Sequence, residues 1–327
     1  MESATQALAT QVGGHAGVMT TEDGSLLIKP AIRAEAEFYQ ALQQDPALAS
    51  LREFTPRFLG TLKLEGKVKD TAGNEGEALV VEPVYVEGEI IIFRYPQSIV
   101  LENLSFSFLK PNILDIKLGT VLYDDGAPPD KVARMIETAR KTTSLETGVR
   151  LTGFQVYDNV TSLAVNTPKS YGKSIQPSQL GEGVAKFFPV GTVVEGENPA
   201  PSSGLPLKSL LPILRAIRDE VAEIREAFAN LELRMVGGSL LIVYEADWTR
   251  AEEGLKKFFE DEEEEDEEDE DDDDDDDPTK RIGPPFVVKL IDFAHTKLVP
   301  GAGPDEGVLK GMDTVLRLLD ERLKEID

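Results

Sequence analysis

The clearest hydrophobic pattern in the chain lies in residues 111–119, Pro-Asn-Ile-Leu-Asp-Ile-Lys-Leu-Gly. Apolar and polar residues alternate here, as is typical of a β-strand, and the period of two places three aliphatic side chains on one face and Asp115 and Lys117 together on the other. Pro111 can open such a strand and Gly119 can end it. The pattern predicts either a carboxylate and an amine held over a functional site or the solvated polar face of an ordinary strand.

Local patterns on the N-terminal side predict a small antiparallel sheet and a helix. Asp23-Gly24 is a hairpin signal, and the strand that follows it ends on Lys29. Residues 34–39 are compatible with a helix, and short apolar stretches separated by glycines occupy residues 58–86. Two further stretches, residues 77–82 and 98–103, are predicted to be buried strands.

Patterns on the C-terminal side predict long helices around central strands. Apolar residues three and four apart indicate amphipathic helices at residues 210–231 and 309–323. Residues 239–245 and 286–292 are apolar runs typical of central strands, and we expect them to pair. The segment from about residue 126 to 190 is predicted to be largely helical, and residues 192–208 form a loop rich in proline and glycine.

The charge of the chain is concentrated in one place. The formal net charge is −26, but the run from Glu260 to Asp277 consists of 18 consecutive acidic residues, which leaves −8 for the rest of the 327 residues. A block of like charge repels itself and cannot bury apolar surface, so we expect residues 258–280 to form a disordered insertion between the two paired strands. It is either a solvated loop or a contact for basic proteins such as histone-like tails.

Composition excludes several kinds of site. The chain has no cysteine and only two histidines, which excludes disulfides, thiolate nucleophiles and cysteine- or histidine-rich metal sites. Any metal must then be a hard cation held by oxygen. No apolar run approaches the roughly 20 residues that span a bilayer, and the N-terminus lacks a signal-peptide pattern, so we expect a soluble intracellular protein.

Several residues could together form a nucleotide site. A glycine-rich stretch at residues 11–17, Lys29 on a strand and Glu35 on a helix follow one another in the order in which kinase-like folds cover and clamp phosphates. Asp292 ends an apolar strand, which is a position suited to holding Mg²⁺. His295 could orient a substrate hydroxyl or accept its proton, or could simply cap the turn.

The segment after Gly119 contains many basic residues for an otherwise acidic protein. They could be solvated helix faces, or they could line a pocket for a polyanionic substrate, whose phosphates need cations to replace lost hydration. These residues are Lys131, Arg134, Arg140, Lys141, Arg150, Lys169, Lys173 and Lys186.

Residues 111–119 resemble the signature of the inositol polyphosphate kinases. The other motifs follow in that family's order: the glycine-rich opening, Lys29, Glu35 with Phe38-Tyr39, residues 101–104, residues 239–241 and Ile291-Asp292-Phe293. Within the family the chain is most similar to the fungal multikinases, because it is compact, contains Thr142-Thr143-Ser144 and carries a long acidic insertion.

The resemblance implies an α+β fold of two lobes, with an N-terminal antiparallel sheet lobe (1–104) and a larger C-terminal α/β lobe (105–327). It also implies an inserted inositol-phosphate-binding helical segment at 126–190. The expected reaction transfers the γ-phosphoryl group of ATP, with Mg²⁺, to hydroxyls of inositol tris- and tetrakisphosphate. A trisphosphate 3-kinase, a hexakisphosphate kinase, and a nuclear scaffold or transcriptional co-regulator that acts through the acidic run are the alternatives.

The resemblance also implies roles for individual residues. On the nucleotide side, Lys29 would contact the α/β-phosphates with support from Glu35, and Asp292 would ligate Mg²⁺. The remaining nucleotide-binding groups would be the backbone of Glu102 and Leu104 for adenine, Asp115 for the ribose and Ser239 near the phosphates.

On the substrate side, Lys117 would contact the transferred phosphoryl group and His295 would lie near the reacting hydroxyl, while Lys131, Arg134 and Lys141 would grip the inositol phosphates. Gln155 stands where some animal members carry a basic residue, which affects the details of that grip. We expect a monomer in the nucleus and cytoplasm, without sequence-specific nucleic-acid binding.

Overall fold

A computed structural model describes residues 5–7, 17–62, 66–68, 81–83, 97–192, 204–264 and 283–327. The predicted glycine-rich opening up to residue 16, the first four residues of the strand predicted over residues 77–82 and most of the acidic run lie outside these residues. The described strands are β1 (Thr5–Ala7), β2 (Met19–Thr21), β3 (Leu26–Ala31), β4 (Phe58–Leu62), β5 (Gly66–Val68), β6 (Val81–Pro83), β7 (Gln97–Glu102), β8 (Pro111–Leu118), β9 (Val149–Asp158), β10 (Leu163–Thr167), β11 (Val190–Gly191), β12 (Leu205–Pro206), β13 (Leu233–Val236), β14 (Ser239–Glu245), β15 (Phe286–Ile291) and β16 (His295–Leu298). The described helices are α1 (Arg33–Gln44), α2 (Ala49–Arg52), α3 (Pro129–Lys141), α4 (Ser144–Thr147), α5 (Lys169–Ser174), α6 (Leu180–Phe187), α7 (Leu207–Ala229), α8 (Trp248–Glu264) and α9 (Glu306–Ile326).

The N-terminal part is an antiparallel sheet with the strand order β1-β2-β3-β7-β4 among the described residues. The hairpin predicted at Asp23-Gly24 is confirmed: Gly24 has φ +79° and its N–H donates to the Thr21 carbonyl at 2.9 Å. Helix α1, predicted from residues 34–39, packs on this sheet with its buried face, which includes Phe38 and Tyr39.

The C-terminal part is built on a second antiparallel sheet, in which the described strands have the order β10-β9-β8-β14-β15. Strand β8, predicted from the alternation in residues 111–119, lies at its centre. The predicted pairing of residues 239–245 with the strand that precedes Asp292 is confirmed, with Ser239 opposite Ile291 on one side and Lys117 on the other. Lys117, Ser239 and Asp292, which directly follows Ile291, are therefore close to one another at one end of the sheet.

The two long C-terminal helices are also confirmed. Helices α7 and α9 pack against each other, and the apolar stripe predicted on α7 is fully buried. Helix α9 also approaches the turn before β9 closely enough that Gly148 and Gly311 meet backbone to backbone. No described helix combines the length and apolarity that a membrane crossing requires.

Two predicted boundaries need correction. The segment over residues 126–190 is not a helical insertion throughout, because β9 and β10 belong to the main sheet and β9 pairs directly with β8. The local pattern of apolar residues does not indicate which distant strand a segment pairs with, so it does not predict the pairing of β9 with β8. The acidic insertion was expected to start at residue 258, but α8 continues to Glu264, since Phe258 packs on Phe286 and Lys256 pairs with Glu260.

The contact between the α4–β9 turn and α9 leaves no room for a side chain. Gly148 has φ +72°, and a Cβ at this position would lie 2.6 Å from the Gly311 nitrogen. We expect Gly148→Ala to lower the free energy of unfolding by about 2–4 kcal/mol, measured by urea denaturation.

Gly181 in α6 is the matched control, because a Cβ there meets nothing within 4 Å. Gly181→Ala should instead stabilise the protein by about 0.5–1 kcal/mol, since alanine is the better helix former. Equal effects of the two substitutions would contradict this account of the close contact.

Candidate active site

Asp292 occupies a strained turn directly after β15. Its φ of +67° is unusual for a residue other than glycine, and such strain persists only where the surroundings enforce it. The next residue supplies that enforcement. The fully buried ring of Phe293 stacks on Phe38 at 4.9 Å and meets Tyr39 edge-on at 5.4 Å, so α1 locks the turn in place.

The Asp292 carboxylate bridges two lysines from the two sheets. Its Oδ1 accepts a hydrogen bond from Lys29 Nζ on β3, and its Oδ2 accepts one from Lys117 Nζ on β8, both at 2.7 Å. Lys29 also donates to Glu35 on α1 at 2.7 Å, and Lys117 donates to the Gly237 carbonyl at 2.7 Å. The structure thus brings together Lys29, Lys117 and Asp292, which lie far apart in the sequence, and confirms that Glu35 pairs with Lys29.

Charge, rather than burial, decides the ionisation of this cluster. Burial would raise the pKa of Asp292, but attraction to Lys117 and Lys29 outweighs it and holds that pKa below its usual value. Burial would lower the pKa of Lys29, but Asp292 and Glu35 raise it instead. The carboxylate of Asp292 and the ammonium of Lys29 are therefore both charged at neutral pH.

Behind this cluster lies a group of buried polar side chains. Asp115 is only 2% exposed, and burial raises its pKa although Lys117 opposes the shift. Its Oδ1, the Ser239 hydroxyl and two nitrogens of Arg150 have no hydrogen-bond partner among the described residues. Arg150 stands opposite Lys117 on β9, and its attraction to Asp115 partly offsets the burial that lowers its pKa.

The crossing between the two sheets follows β7. The Glu102 N–H donates to the Arg57 carbonyl at 3.0 Å, so this donor is already used, while Leu104 lies in the turn beyond it. The Asn103 side chain fastens the crossing by donating to the Gly24 carbonyl at 2.8 Å. The predicted roles of Glu102 and Leu104 toward adenine stay predictions.

A cavity of about 400 Å³ lies next to the ionic cluster. Its lining includes Gly119 and Ala294, each two residues beyond a member of the cluster, together with His295. His295 is 41% exposed, and its Nδ1 lies 2.6 Å from Asp124 Oδ2 in the loop between β8 and α3. Lys297 in the same wall forms an ion pair with the neighbouring Asp125.

The three basic residues predicted to grip substrate lie on or at the start of α3 and are not among the residues that line this cavity. Lys141 is 73% exposed and pairs with Glu137 one turn away. Lys131 and Arg134 are on the same helix. Their proposed contact with inositol phosphates therefore stays a prediction.

Gln155 has a structural position on β9. It is 1% exposed, and its Nε2 donates to the Pro111 carbonyl at 2.9 Å. Its amide therefore fastens β9 to the start of β8 instead of facing a ligand.

Sequence reasoning missed three participants of the site: Asp124, Arg150 as a neighbour of Asp115, and the Gly237 carbonyl. In sequence, Gly237-Gly238 indicates only a break before the strand at residues 239–245. Asp124 and Asp125 form an acidic pair shortly after Gly119, but nothing in the local sequence indicates that Asp124 contacts His295.

Comparison with known proteins identifies the family. The family model "Inositol polyphosphate kinase" matches residues 98–320, which is well over half of the chain. The chain belongs to the inositol polyphosphate kinase family. This confirms the resemblance carried by residues 111–119 and the kinase class that it implies.

Individual relatives support the same assignment for this kinase. The inositol polyphosphate multikinase of Saccharomyces cerevisiae is 31% identical, with 94% of this chain and 96% of the relative covered. The inositol hexakisphosphate kinase 2 of Mus musculus is 30% identical over 69% of this chain and 49% of its own length. A crystal structure of the yeast multikinase in complex with ADP and Mn²⁺ matches with a TM-score of 0.61 and 27% identity, covering 92% of this chain and 100% of that one. The two-lobed α+β fold is thereby confirmed.

The bridge at Asp292 makes a prediction about stability. Asp292→Asn leaves two largely buried lysines without their shared counter-charge, so we expect a loss of about 3 kcal/mol at pH 7. Because the pKa of Asp292 is lowered in the folded protein, this contribution is complete above the unfolded value of 3.8 and is lost as the pH falls below it. Denaturant unfolding between pH 7 and pH 3 should show the difference from wild type shrinking.

Asp115→Asn is the matched control. The pKa of Asp115 is raised in the folded protein, so its ionised form opposes folding above that pKa, and removing the charge should cost little or no stability at pH 7. A destabilisation by Asp115→Asn as large as that by Asp292→Asn would show that burial alone, and not the lysine bridge, sets these energies.

Proposed function

We propose that this kinase is an ATP-dependent multikinase that phosphorylates hydroxyls of inositol tris- and tetrakisphosphate. The observation that carries the proposal is the position of Asp292, which links Lys29 and Lys117 and lies three residues before His295 in the wall of the cavity. Two cations suited to phosphate, a carboxylate suited to Mg²⁺ and a group that can interact with a hydroxyl are thus carried by neighbouring segments. The similarity to a multikinase over nearly the whole chain supports the choice of substrate class.

The residues present fit a divalent cation. Asp292 is ionised, and each of its oxygens accepts one hydrogen bond and keeps a further lone pair. Mg²⁺ typically takes one or two protein carboxylates and completes its shell with water and substrate phosphates. Asp292 would hold Mg²⁺, which when bound supplies charge neutralisation on the β- and γ-phosphates.

Lys29 would contact the α- and β-phosphates, and Glu35 and Asp292 each hold its amine by a hydrogen bond of 2.7 Å. Lys117 donates to the other oxygen of the same carboxylate and would contact the transferred phosphoryl group. Asp115 and Ser239 lie behind them, where the proposed contacts to ribose and phosphate would satisfy atoms that are unpartnered in the described structure. These roles are the ones that the family resemblance implies.

The reaction requires positioning more than strong base catalysis. In a loose phosphoryl-transfer transition state, the substrate hydroxyl oxygen forms a bond to the γ-phosphorus while the bridging P–O bond breaks and its electrons leave on ADP. His295 would receive the hydroxyl proton. Lys29 and Lys117 hold the phosphates in line, which converts binding into rate acceleration.

Lys117 should be essential for turnover. We expect Lys117→Ala to lower kcat about 10²–10⁴-fold with inositol trisphosphate and labelled ATP, because it removes a cation at the transferred group. Lys208→Ala, which removes an exposed lysine paired with Glu252, is the matched control and should behave like wild type. Thermal melts check that both variants are folded, and near-wild-type turnover by Lys117→Ala would refute the proposed site.

The same assay distinguishes the substrate alternatives. Chromatographic identification of product isomers from tris-, tetrakis- and hexakisphosphate substrates should show the pentakisphosphate as the end product. A single tetrakisphosphate product would indicate a trisphosphate 3-kinase, and pyrophosphorylated products would indicate a hexakisphosphate kinase. Binding of substrate by Lys131, Arg134 and Lys141 is part of this proposal, and their alanine variants should raise KM.

The acidic run is proposed to bind basic proteins in the nucleus and cytoplasm, separately from catalysis by a monomer. We expect replacement of residues 265–277 by an equally long Gly/Ser linker to keep kinase activity and to weaken binding of a lysine-rich peptide, measured by fluorescence anisotropy. The replacement starts after α8 so that the helix stays complete. Loss of activity with unchanged peptide binding would contradict this division of roles.

A further inference from the structure

The carboxylate of Asp124 contacts the imidazole of His295 at the cavity wall. Asp124 Oδ2 lies 2.6 Å from His295 Nδ1, an ion-pair contact between a loop that follows β8 and the first residue of β16. Both residues line the cavity, and both are only partly exposed. Neither the family comparison nor the motif order assigns Asp124 a role.

The loop that carries Asp124 is held in place independently of His295. At its start, Gly119 adopts φ +101° and its N–H donates to the Gly148 carbonyl at 2.8 Å. At its end, the Ala127 N–H donates to the Asp124 carbonyl at 3.1 Å, and Asp125 pairs with Lys297. The carboxylate therefore meets the ring from a fixed position.

This contact determines which ring nitrogen carries the proton. At 2.6 Å, an unprotonated Nδ1 would set its lone pair against the carboxylate oxygen, so Nδ1 carries the proton when the ring is neutral, and Nε2 is left with a free lone pair. The backbone of His295 is anchored by the pairing of β16 with β13, where it stands opposite Val236. Strand pairing thus sets the backbone position of His295, and the contact with Asp124 sets its tautomer.

We propose that Asp124 is a positioning residue that holds His295 as the Nδ1–H tautomer, so that Nε2 receives the proton of the attacking substrate hydroxyl. The inference rests on the proposed function, because it uses His295 as the proton acceptor. In the step, the hydroxyl oxygen bonds to the γ-phosphorus, its proton moves to Nε2, and ADP leaves with the electrons of the broken P–O bond. Asp124 stabilises the resulting imidazolium without taking a proton itself.

The tautomer can be observed directly, because the chain has only two histidines. Two-bond ¹H–¹⁵N spectra of the ¹⁵N-histidine-labelled full chain, with His15→Gln to remove the second ring, report which nitrogen of His295 is protonated. In alkaline buffer we expect the Nδ1–H form in the parent and a change to mainly Nε2–H in Asp124→Ala. Asp125→Ala breaks the neighbouring ion pair in the same loop and should keep the Nδ1–H form.

Kinetics test whether the tautomer matters for the reaction. We expect Asp124→Ala to lower kcat about 10- to 100-fold with KM changed less than about threefold, as for partners that orient a reacting group. Asp124→Asn preserves the size of the side chain, and because its amide can also donate, it should admit both tautomers and give an intermediate kcat.

The outcomes separate this inference from the proposed function. An unchanged His295 tautomer in Asp124→Ala, or an equal change in Asp125→Ala, would overturn the positioning role whatever the activity. A changed tautomer with unchanged kcat would also overturn it. Failure of the proposed function shows differently, since the parent would then lack inositol phosphate kinase activity while its histidine spectrum still showed the Nδ1–H form.

Discussion

The structure depends on one carboxylate that neutralises two ammonium groups from different sheets. Asp292 contacts Lys29 and Lys117 at 2.7 Å each, and without it two largely buried lysines would lose their shared counter-charge. Glu35, Asp115 and Arg150 extend the cluster, so that three acidic and three basic side chains balance near the proposed phosphate site. These cations are already paired with carboxylates, so they cannot by themselves neutralise the added negative charge of an arriving triphosphate. This is a physical reason for a metal-assisted site here.

Helix α1 explains why strain is tolerated at Asp292. A left-handed backbone costs about 1 kcal/mol or more for a residue with a side chain, and it persists because Phe293 is clamped by two aromatic rings of α1. Helix α1 also carries Glu35, which pairs with Lys29. One helix therefore sets both the turn that aims the carboxylate and the amine that the carboxylate meets.

Much of this architecture could be predicted from local sequence, but the contacts between elements could not. Alternation in residues 111–119 correctly predicted a strand with Asp115 and Lys117 on one face. It could not show that Asp115 is buried, because a period of two reports which residues share a face and not what covers that face. The cover comes from β9, whose pairing with β8 joins segments that are far apart in sequence. Local patterns do not show this pairing, so they predict a helical insertion over residues 126–190. Likewise, Lys117 and Asp292 are 175 residues apart in sequence, and only the family resemblance linked them.

Strand β8 and the loop after it connect the two halves of the proposed chemistry. Lys117 lies near the end of β8 and contacts the carboxylate on the nucleotide side, and Asp124 follows seven residues later and contacts His295 on the cavity side. Asp292 and His295 likewise lie three residues apart after β15. Each side chain of one segment is therefore paired with one side chain of the other, through Lys117–Asp292 and Asp124–His295. Because the same two segments form both pairs, a shift of either segment would disturb the phosphate contacts and the orientation of the imidazole together. The geometry of the phosphoryl donor and that of the acceptor therefore depend on one packing arrangement.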